Sequence, residues 1–290
     1  MPISDAPSRV TSINAYDLTG KRAVITGASQ GIGAAAAIAL ACAGADIAFT
    51  YQTAMAKAEE TASSIRDAGR RVIMLRGDTG DPAHVQELAD KTVAAFGGFD
   101  IWVNNAARLM VKPFLELTDQ DWHNLLAANL HGYFYGCRAA IRQMVAQGRG
   151  GRVINVTSIV DVQPIAELSA YVTAKGGILG LTKTLALEFG SHGITVNAIS
   201  PGATDTPLNQ VAYTADVRKT YNERIPLGHI ATPSEIGDTF VFLASDASRY
   251  VTGVELLVDG GMVLNGNVGH ARTNVGPHTA ATSATLQSAP

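Results

Sequence analysis

Ala23-Val24-Ile25-Thr26-Gly27-Ala28-Ser29-Gln30-Gly31-Ile32-Gly33 is the stretch from which the rest of the chain can be read. A short apolar run stops on a glycine, two more glycines follow, and an alanine-rich helical pattern continues to about residue 43. That is a strand, a tight turn and a helix start. Glycines let bare backbone approach a pyrophosphate, and the N–H groups and dipole of the opening helix favour its charge. The Gly-x-x-x-Gly-x-Gly spacing departs from the usual Gly-x-Gly-x-x-Gly dinucleotide fingerprint, and a glycine turn serving only helix packing is the plainer alternative. Gly27, Ser29, Gln30, Gly31, Ile32 and Gly33 are therefore the candidate phosphate-facing segment.

Outward from it, short Val/Ile-rich runs alternate with longer helical patterns, the arrangement of a parallel sheet covered on both faces. Strands are predicted at 23–27, 46–51, 71–78, 99–106, 151–158, 194–202 and 254–261. Helices are predicted at about 32–43, 54–68, 82–96, 119–147, 168–190 and 233–245. The expected fold is α/β: one doubly wound, Rossmann-like domain with a seven-stranded parallel sheet, spanning residues 18–265. Residues 1–17 read as an N-terminal extension, and 266–290 as a tail without periodicity. In an open parallel sheet the carboxyl ends of the strands share one edge, where ligands bind. Gly27, Asp78, Asn104, Ser158 and Pro201-Gly202 all fall at such ends.

Bulk properties narrow the function classes. A 290-residue chain with 47% hydrophobic residues can bury a large core. Net charge −3 and scattered Lys and Arg leave no footprint for nucleic acid. Two cysteines, Cys42 and Cys137, exclude a disulfide framework, and both sit in apolar helical pattern where a thiol is usually buried. Neither Cys-x-x-Cys nor His-Glu-x-x-His occurs, so no catalytic metal is expected. The longest apolar run, 31–45, is too short to span a bilayer, and the first twenty residues do not form a signal peptide. No membrane role and a cytoplasmic location are the resulting expectations.

Two further clusters carry chemistry. Tyr171 and Lys175 stand four apart, so a phenol and an ammonium share one helix face, thirteen residues after Ser158. A carbonyl that accepts hydride needs a proton on its oxygen, and an alcohol that gives hydride must lose one. Tyr171 is the candidate shuttle, with Lys175 and the positive charge of an oxidised nicotinamide lowering its pKa. Ser158 can hydrogen-bond the reacting oxygen. Asn129 is a polar residue in an apolar helical stretch; it either bends that helix or holds a water that relays protons from Lys175.

At the end of the second predicted strand, Thr50-Tyr51-Gln52 has no carboxylate to repel a ribose 2′-phosphate, and Thr50, Thr53 and Lys57 could receive one. NADP is favoured, with NAD also acceptable. Asp78 could accept from the adenine amino group or cap a turn. The amides of Asn104 and Asn105 can pin loop backbone beside the cofactor, where the small Ala106 allows close approach, or form an Asn-rich turn; Pro201, Gly202, Thr204 and Thr206 are further candidates for cofactor contact.

The chain resembles the short-chain dehydrogenase/reductases over about residues 18–262. The resemblance rests on Thr-Gly-Ala-Ser-Gln-Gly-Ile-Gly at 26–33, Asn-Asn-Ala-Ala at 104–107, Asn129, Ser158, Tyr171-x-x-x-Lys175, Ser200-Pro201-Gly202 and Val258-Asp259-Gly260-Gly261. It implies Asn129, Ser158, Tyr171 and Lys175 as a catalytic tetrad, Lys175 also on the nicotinamide ribose, and commonly a homotetramer. Ala107 departs from the family, which usually has glycine there, and so does the tail beyond Gly261. Residues 262–275 are expected to cover a neighbouring subunit's cleft.

The loops at 108–117, 160–167 and 203–225 should set specificity. Arg108, Asp161, Gln163, Glu167 and Asn209 offer hydrogen bonds, while Met110, Val162 and Leu208 offer apolar wall. A small-molecule alcohol or carbonyl, of the sugar, polyol or keto-sugar kind, suits the mixture and resembles glucose-dehydrogenase-like members. A 3-oxoacyl thioester reductase is the alternative, with Arg138, Arg142, Arg149 and Arg152 as a basic patch. A non-catalytic dinucleotide sensor is the alternative of another class.

Overall fold

The computed structural model describes residues 15–210 and 212–265. Most of the expected N-terminal extension, all of the 266–290 tail and most of the 262–275 segment lie outside the described residues.

Seven strands form one parallel sheet: β1 (Arg22–Ile25), β2 (Asp46–Tyr51), β3 (Val72–Arg76), β4 (Ile101–Asn104), β5 (Gly151–Val156), β6 (Ile194–Pro201) and β7 (Glu255–Val258). Their order is β3-β2-β1-β4-β5-β6-β7, every neighbouring pair parallel. The order reverses between β1 and β4, which opens a crevice at their carboxyl ends. The helices are α1 (Gly31–Cys42), α2 (Met55–Asp67), α3 (Pro82–Phe96), α4 (Asp119–Leu126), α5 (Gly132–Gln147), α6 (Ser169–Phe189), α7 (Ala215–Arg224) and α8 (Pro233–Ala244).

Alternate residues of each strand feed two cores. Ile25, Ile47, Phe49, Val103, Ile154 and Ile199 pack under α1, α2 and α8, whereas Val24, Ala48, Trp102, Val153 and Val196 pack under α3, α5 and α6. The period of two and the double burial explain why these strands read as continuous apolar runs.

Four expectations need correction. Most predicted strands run one to three residues too far, because the residues after them turn into the ligand-facing loops. The expected 119–147 helix is broken by a π-helical turn over Ala127–His131, between α4 and α5. The 203–225 segment, expected as loop, contains α7, whose sequence ADVRKTYNER has no apolar stripe to betray it. Cys137 is buried as expected, but Cys42 is exposed.

Candidate active site

The glycine turn is built as the sequence suggests. Gly27 and Gly31 adopt left-handed φ values of 68° and 61°, and a Cβ at Gly27 would come within 2.8 Å of the Ala106 backbone. The turn is tied down from both sides. Thr50 accepts from the Gly27 N–H through its hydroxyl (3.0 Å) and from the Ala28 N–H through its carbonyl (2.9 Å). Asn105 donates its amide to the carbonyls of Thr26 (3.1 Å) and Gly27 (2.8 Å).

The turn opens one wall of a cleft of about 500 Å³, within the range of small-molecule sites. Gly27, Ser29, Gln30, Gly31, Ile32, Gly33, Tyr51 and Ala106 line it, together with Ser158, Tyr171, Lys175, Pro201, Gly202, Thr204 and Thr206. Four other candidates do not. Thr50 is buried beneath the turn it holds. Asn104 is buried in the sheet, accepting from the Trp102 indole (2.8 Å) and donating to Asn155 (2.8 Å). Its neighbour Asn105 faces the cleft instead, as alternation along a strand requires. Asp78 is engaged by Arg108 (2.7 Å) and Gln52 (2.9 Å). Lys57 pairs with Glu60 on α2.

Asn129 stands outside the lining as well. It is fully buried in the π-helical turn and clamps the loop after β4: Oδ1 accepts from the Arg108 N–H and Nδ2 donates to the Arg108 carbonyl, both at 2.7 Å. The helix is distorted here, but the Asn129 side chain bonds the backbone of the loop after β4 and not that of its own helix.

Lys175 is buried, and its Nζ donates to the Val156 carbonyl (2.7 Å) and the Tyr133 hydroxyl (3.1 Å). It lies 5.5 Å from the centre of the Tyr171 ring. Burial pulls the Lys175 amine down to about 7, an effect that Asp161 partly opposes. Burial pushes the Tyr171 phenol up to about 12, against the pull of the neighbouring Ser158 hydroxyl. Acidification of Tyr171 is expected from Lys175 together with the positive charge of an oxidised nicotinamide; from the protein groups alone, desolvation is the largest influence on both side chains.

Several residues around the cleft were not singled out from the sequence. Met262, Tyr213 and Tyr221 line it, and Tyr133 holds Lys175. Tyr133 stands four residues after Asn129, so helical spacing was its available signal. The specificity residues also sort differently from expectation. Asn209 and Leu208 line the cleft. Arg108 is taken by Asp78, Gln163 donates to the Val263 carbonyl (3.2 Å), and Met110 packs with Leu125 and Trp122. The basic patch of the thioester alternative is dispersed: Arg149 pairs with Asp100 and Arg152 with Asp246 at the opposite edge of the sheet.

Comparison with known proteins agrees with this architecture. Residues 27–263 match the family model described as Enoyl-(Acyl carrier protein) reductase. The chain is 38% identical over 249 residues to a 3beta-hydroxysteroid dehydrogenase 1 of Eggerthella lenta, covering 86% of this chain and 95% of that protein. It is also 38% identical over 249 residues to an L-rhamnose 1-dehydrogenase (NAD(P)(+)) of Sphingomonas sp., covering 86% and 98%. A crystal structure of a putative 2-deoxy-d-gluconate 3-dehydrogenase from Agrobacterium tumefaciens with bound NADP superposes with a TM-score of 0.80 at 36% identity, covering 87% and 99%. Among the described residues no helix is long and apolar enough to cross a membrane. With a glycine turn, a doubly wound sheet and a Tyr-x-x-x-Lys helix meeting in one cleft, the chain belongs to the short-chain dehydrogenase/reductase family of nicotinamide-dependent oxidoreductases acting on CH–OH groups.

Proposed function

We propose that the protein interconverts a secondary alcohol and its carbonyl on a neutral sugar or polyol, with NADP as the favoured coenzyme and NAD accepted. The observation that carries this reading is the placement of Ser158, Tyr171 and Lys175 in the same cleft as the glycine turn. The cradle fits a dinucleotide: the close Gly27–Ala106 approach leaves backbone exposed at the start of α1, where a diphosphate is favoured. Gln52 and Thr53 border the end of β2 and no carboxylate lines the cleft there, which suits a 2′-phosphate. The NADP bound in the Agrobacterium relative and the NAD(P)(+) in the name of the rhamnose enzyme support the same choice.

When bound, the nicotinamide supplies or takes the hydride. The chain's own groups manage the proton. Tyr171 donates its phenolic proton to the carbonyl oxygen during reduction, becoming phenolate, and as phenolate accepts the alcohol's proton during oxidation. Ser158 holds that oxygen by hydrogen bond. Lys175 anchors ribose hydroxyls and, when charged, stabilises the phenolate; Asn129 fixes the loop after β4 that borders the site.

A homotetramer in the cytoplasm completes the reading. Exposed Leu115, Phe134 and Leu187 around α4, α5 and α6, and exposed Tyr250 and Leu257 along the β7 edge, support two separate association surfaces.

The test is a panel of neutral sugars, polyols and ketones with NADP and NAD, followed at the reduced-nicotinamide absorbance. Turnover with NADP preferred is expected. Tyr171→Phe should lower kcat by about 10²- to 10⁴-fold while cofactor affinity is retained; unchanged turnover removes Tyr171 from its role and leaves a dinucleotide sensor as the better description.

A further inference from the structure

The cleft wall opposite the glycine turn is lined by apolar and aromatic side chains, and among the described lining residues the one ionisable group other than tyrosine is Lys175. Its Nζ is buried and already donates to the Val156 carbonyl and the Tyr133 hydroxyl. Among the described lining residues there is no guanidinium or imidazole to meet an anionic substrate. Arg108 and Arg218, which approach from the rims, are each closed by a carboxylate: Arg108 by Asp78 at 2.7 Å and Arg218 by Asp205 at 2.7 Å.

What the wall does offer is a fixed aromatic corner. Tyr213 and Tyr221 lie edge to face with ring centres 5.2 Å apart and an interplanar angle of 72°. Both line the cleft, and Ile225 and Met262 belong to the same apolar cluster. The corner is locked from behind. Arg218 on α7 donates to the Tyr213 carbonyl (3.2 Å), sits 5.8 Å from the centre of its ring, and is held by Asp205 through two hydrogen bonds. Tyr213 and Tyr171 line the same cleft. Asn209, held through its amide to the Thr204 carbonyl (3.0 Å), leaves its oxygen as a polar point on the same wall.

We infer that Tyr213 and Tyr221 form the specificity wall of the active site, and that it selects an uncharged ring bearing the reactive alcohol or ketone, one C–H face laid on the aromatic pair. Rigid aromatic surface captures an apolar face at small entropic expense. A carboxylate entering this wall would lose its hydration without gaining a cation from the described lining residues, which disfavours acid-bearing sugars. An open-chain polyol would present hydroxyls on every side and must order several bonds to fit. Neutral pyranose or alicyclic rings are the class that fits, and this rests on the oxidoreductase reading above.

The test pairs binding with turnover on the full-length, NADP-loaded protein. Equilibrium binding of a neutral 6-deoxyhexose, the matching aldonate and an open-chain hexitol is measured by calorimetry for wild type, Tyr213→Leu and Tyr221→Leu. The ring should bind at least tenfold more tightly than the aldonate and the hexitol, and each substitution should erase most of that preference. NADP affinity and melting temperature should stay near wild type, which separates a specificity role from a structural one. In turnover, the two variants should raise KM for the ring at least tenfold and leave KM for a small acyclic ketone within about twofold. Equal or tighter binding of the aldonate or hexitol, or ring binding unmoved in both variants, overturns the inference. A wild-type protein that discriminates in binding but transfers no hydride to any panel member refutes the proposed reaction and leaves the specificity wall standing.

Discussion

Asp161 lies at the first turn after Ser158, and neither of its carboxylate oxygens finds a hydrogen-bond donor among the described residues. Burial and then the nearby Glu255 carboxylate push it up to about 6. Its folded-state pKa is thus above the ordinary value of 3.8, so the stability it contributes is present below that value and is lost as pH rises through about 6. Asp161→Asn should therefore raise the melting temperature at pH 8 and have little effect at pH 4. A gain of about 1 kcal/mol corresponds to ~2–4 °C in a chain of this size; a variant equally or less stable than wild type at pH 8 would refute the account. The coenzyme end has its own single-residue prediction. Gln52 is exposed and donates to Asp78 (2.9 Å), whose charge Arg108 already balances. Gln52→Asp adds an unbalanced carboxylate at the border of the cleft, and should raise KM for NADP at least tenfold relative to KM for NAD, a ratio obtained from parallel titrations.

At the scale of elements, the π-helical turn shows what a sequence pattern can and cannot hold. Its residues 127–131, Ala-Ala-Asn-Leu-His, carry no proline or glycine, so a helical pattern read along the chain merges α4 and α5 into one helix. Asn129 was visible as a polar residue out of place, but the backbone it bonds belongs to a loop 21 residues away in the chain. Neighbouring positions on a strand proved harder still: Asn104 and Asn105 are chemically identical, and only the direction of the pleat sends one to the sheet interior and the other to the glycine turn. The strands and the glycine turn were legible because burial on both faces and left-handed φ demand particular residues. Helix α7, polar throughout, is held by Arg218–Asp205 and by Thr214 capping Val217, interactions that leave no periodic mark. The clamp yields a prediction. Asn129→Ala removes the side-chain partner of the part-buried Arg108 N–H and carbonyl, at a cost of about 1 kcal/mol each. The variant should melt several degrees lower and turn over more slowly; Asn129→Asp should recover the acceptor bond to the N–H but not the donor bond to the carbonyl. Equal stability of Asn129→Ala and wild type would show that the clamp is not what holds this loop.

For the whole molecule, the two cores account for the inside of the sheet but not for its surroundings. Apolar side chains remain exposed on two surfaces that face different directions. One runs over α5 and α6, with Phe134 and the 86% exposed Leu187; the other follows the β7 edge, with Leu257 and the fully exposed Tyr250. β7 pairs only with β6, so its outer edge carries unpaired backbone groups as well. A tetramer with dihedral symmetry requires two different self-complementary surfaces, whereas a dimer requires one. If both surfaces associate, weakening one should leave a dimer and weakening both should leave a monomer. Leu187→Glu places a charge on the helical surface, and Tyr250→Glu with Leu257→Lys places charges at the sheet edge. None of these residues lines the cleft, so folding and NADP binding should persist in the smaller species. Light scattering coupled to size exclusion is expected to report four subunits for wild type, two for either single-surface variant and one for the combination. A wild-type mass of one subunit, or a combined variant that remains tetrameric, would refute the assignment of these two surfaces to assembly.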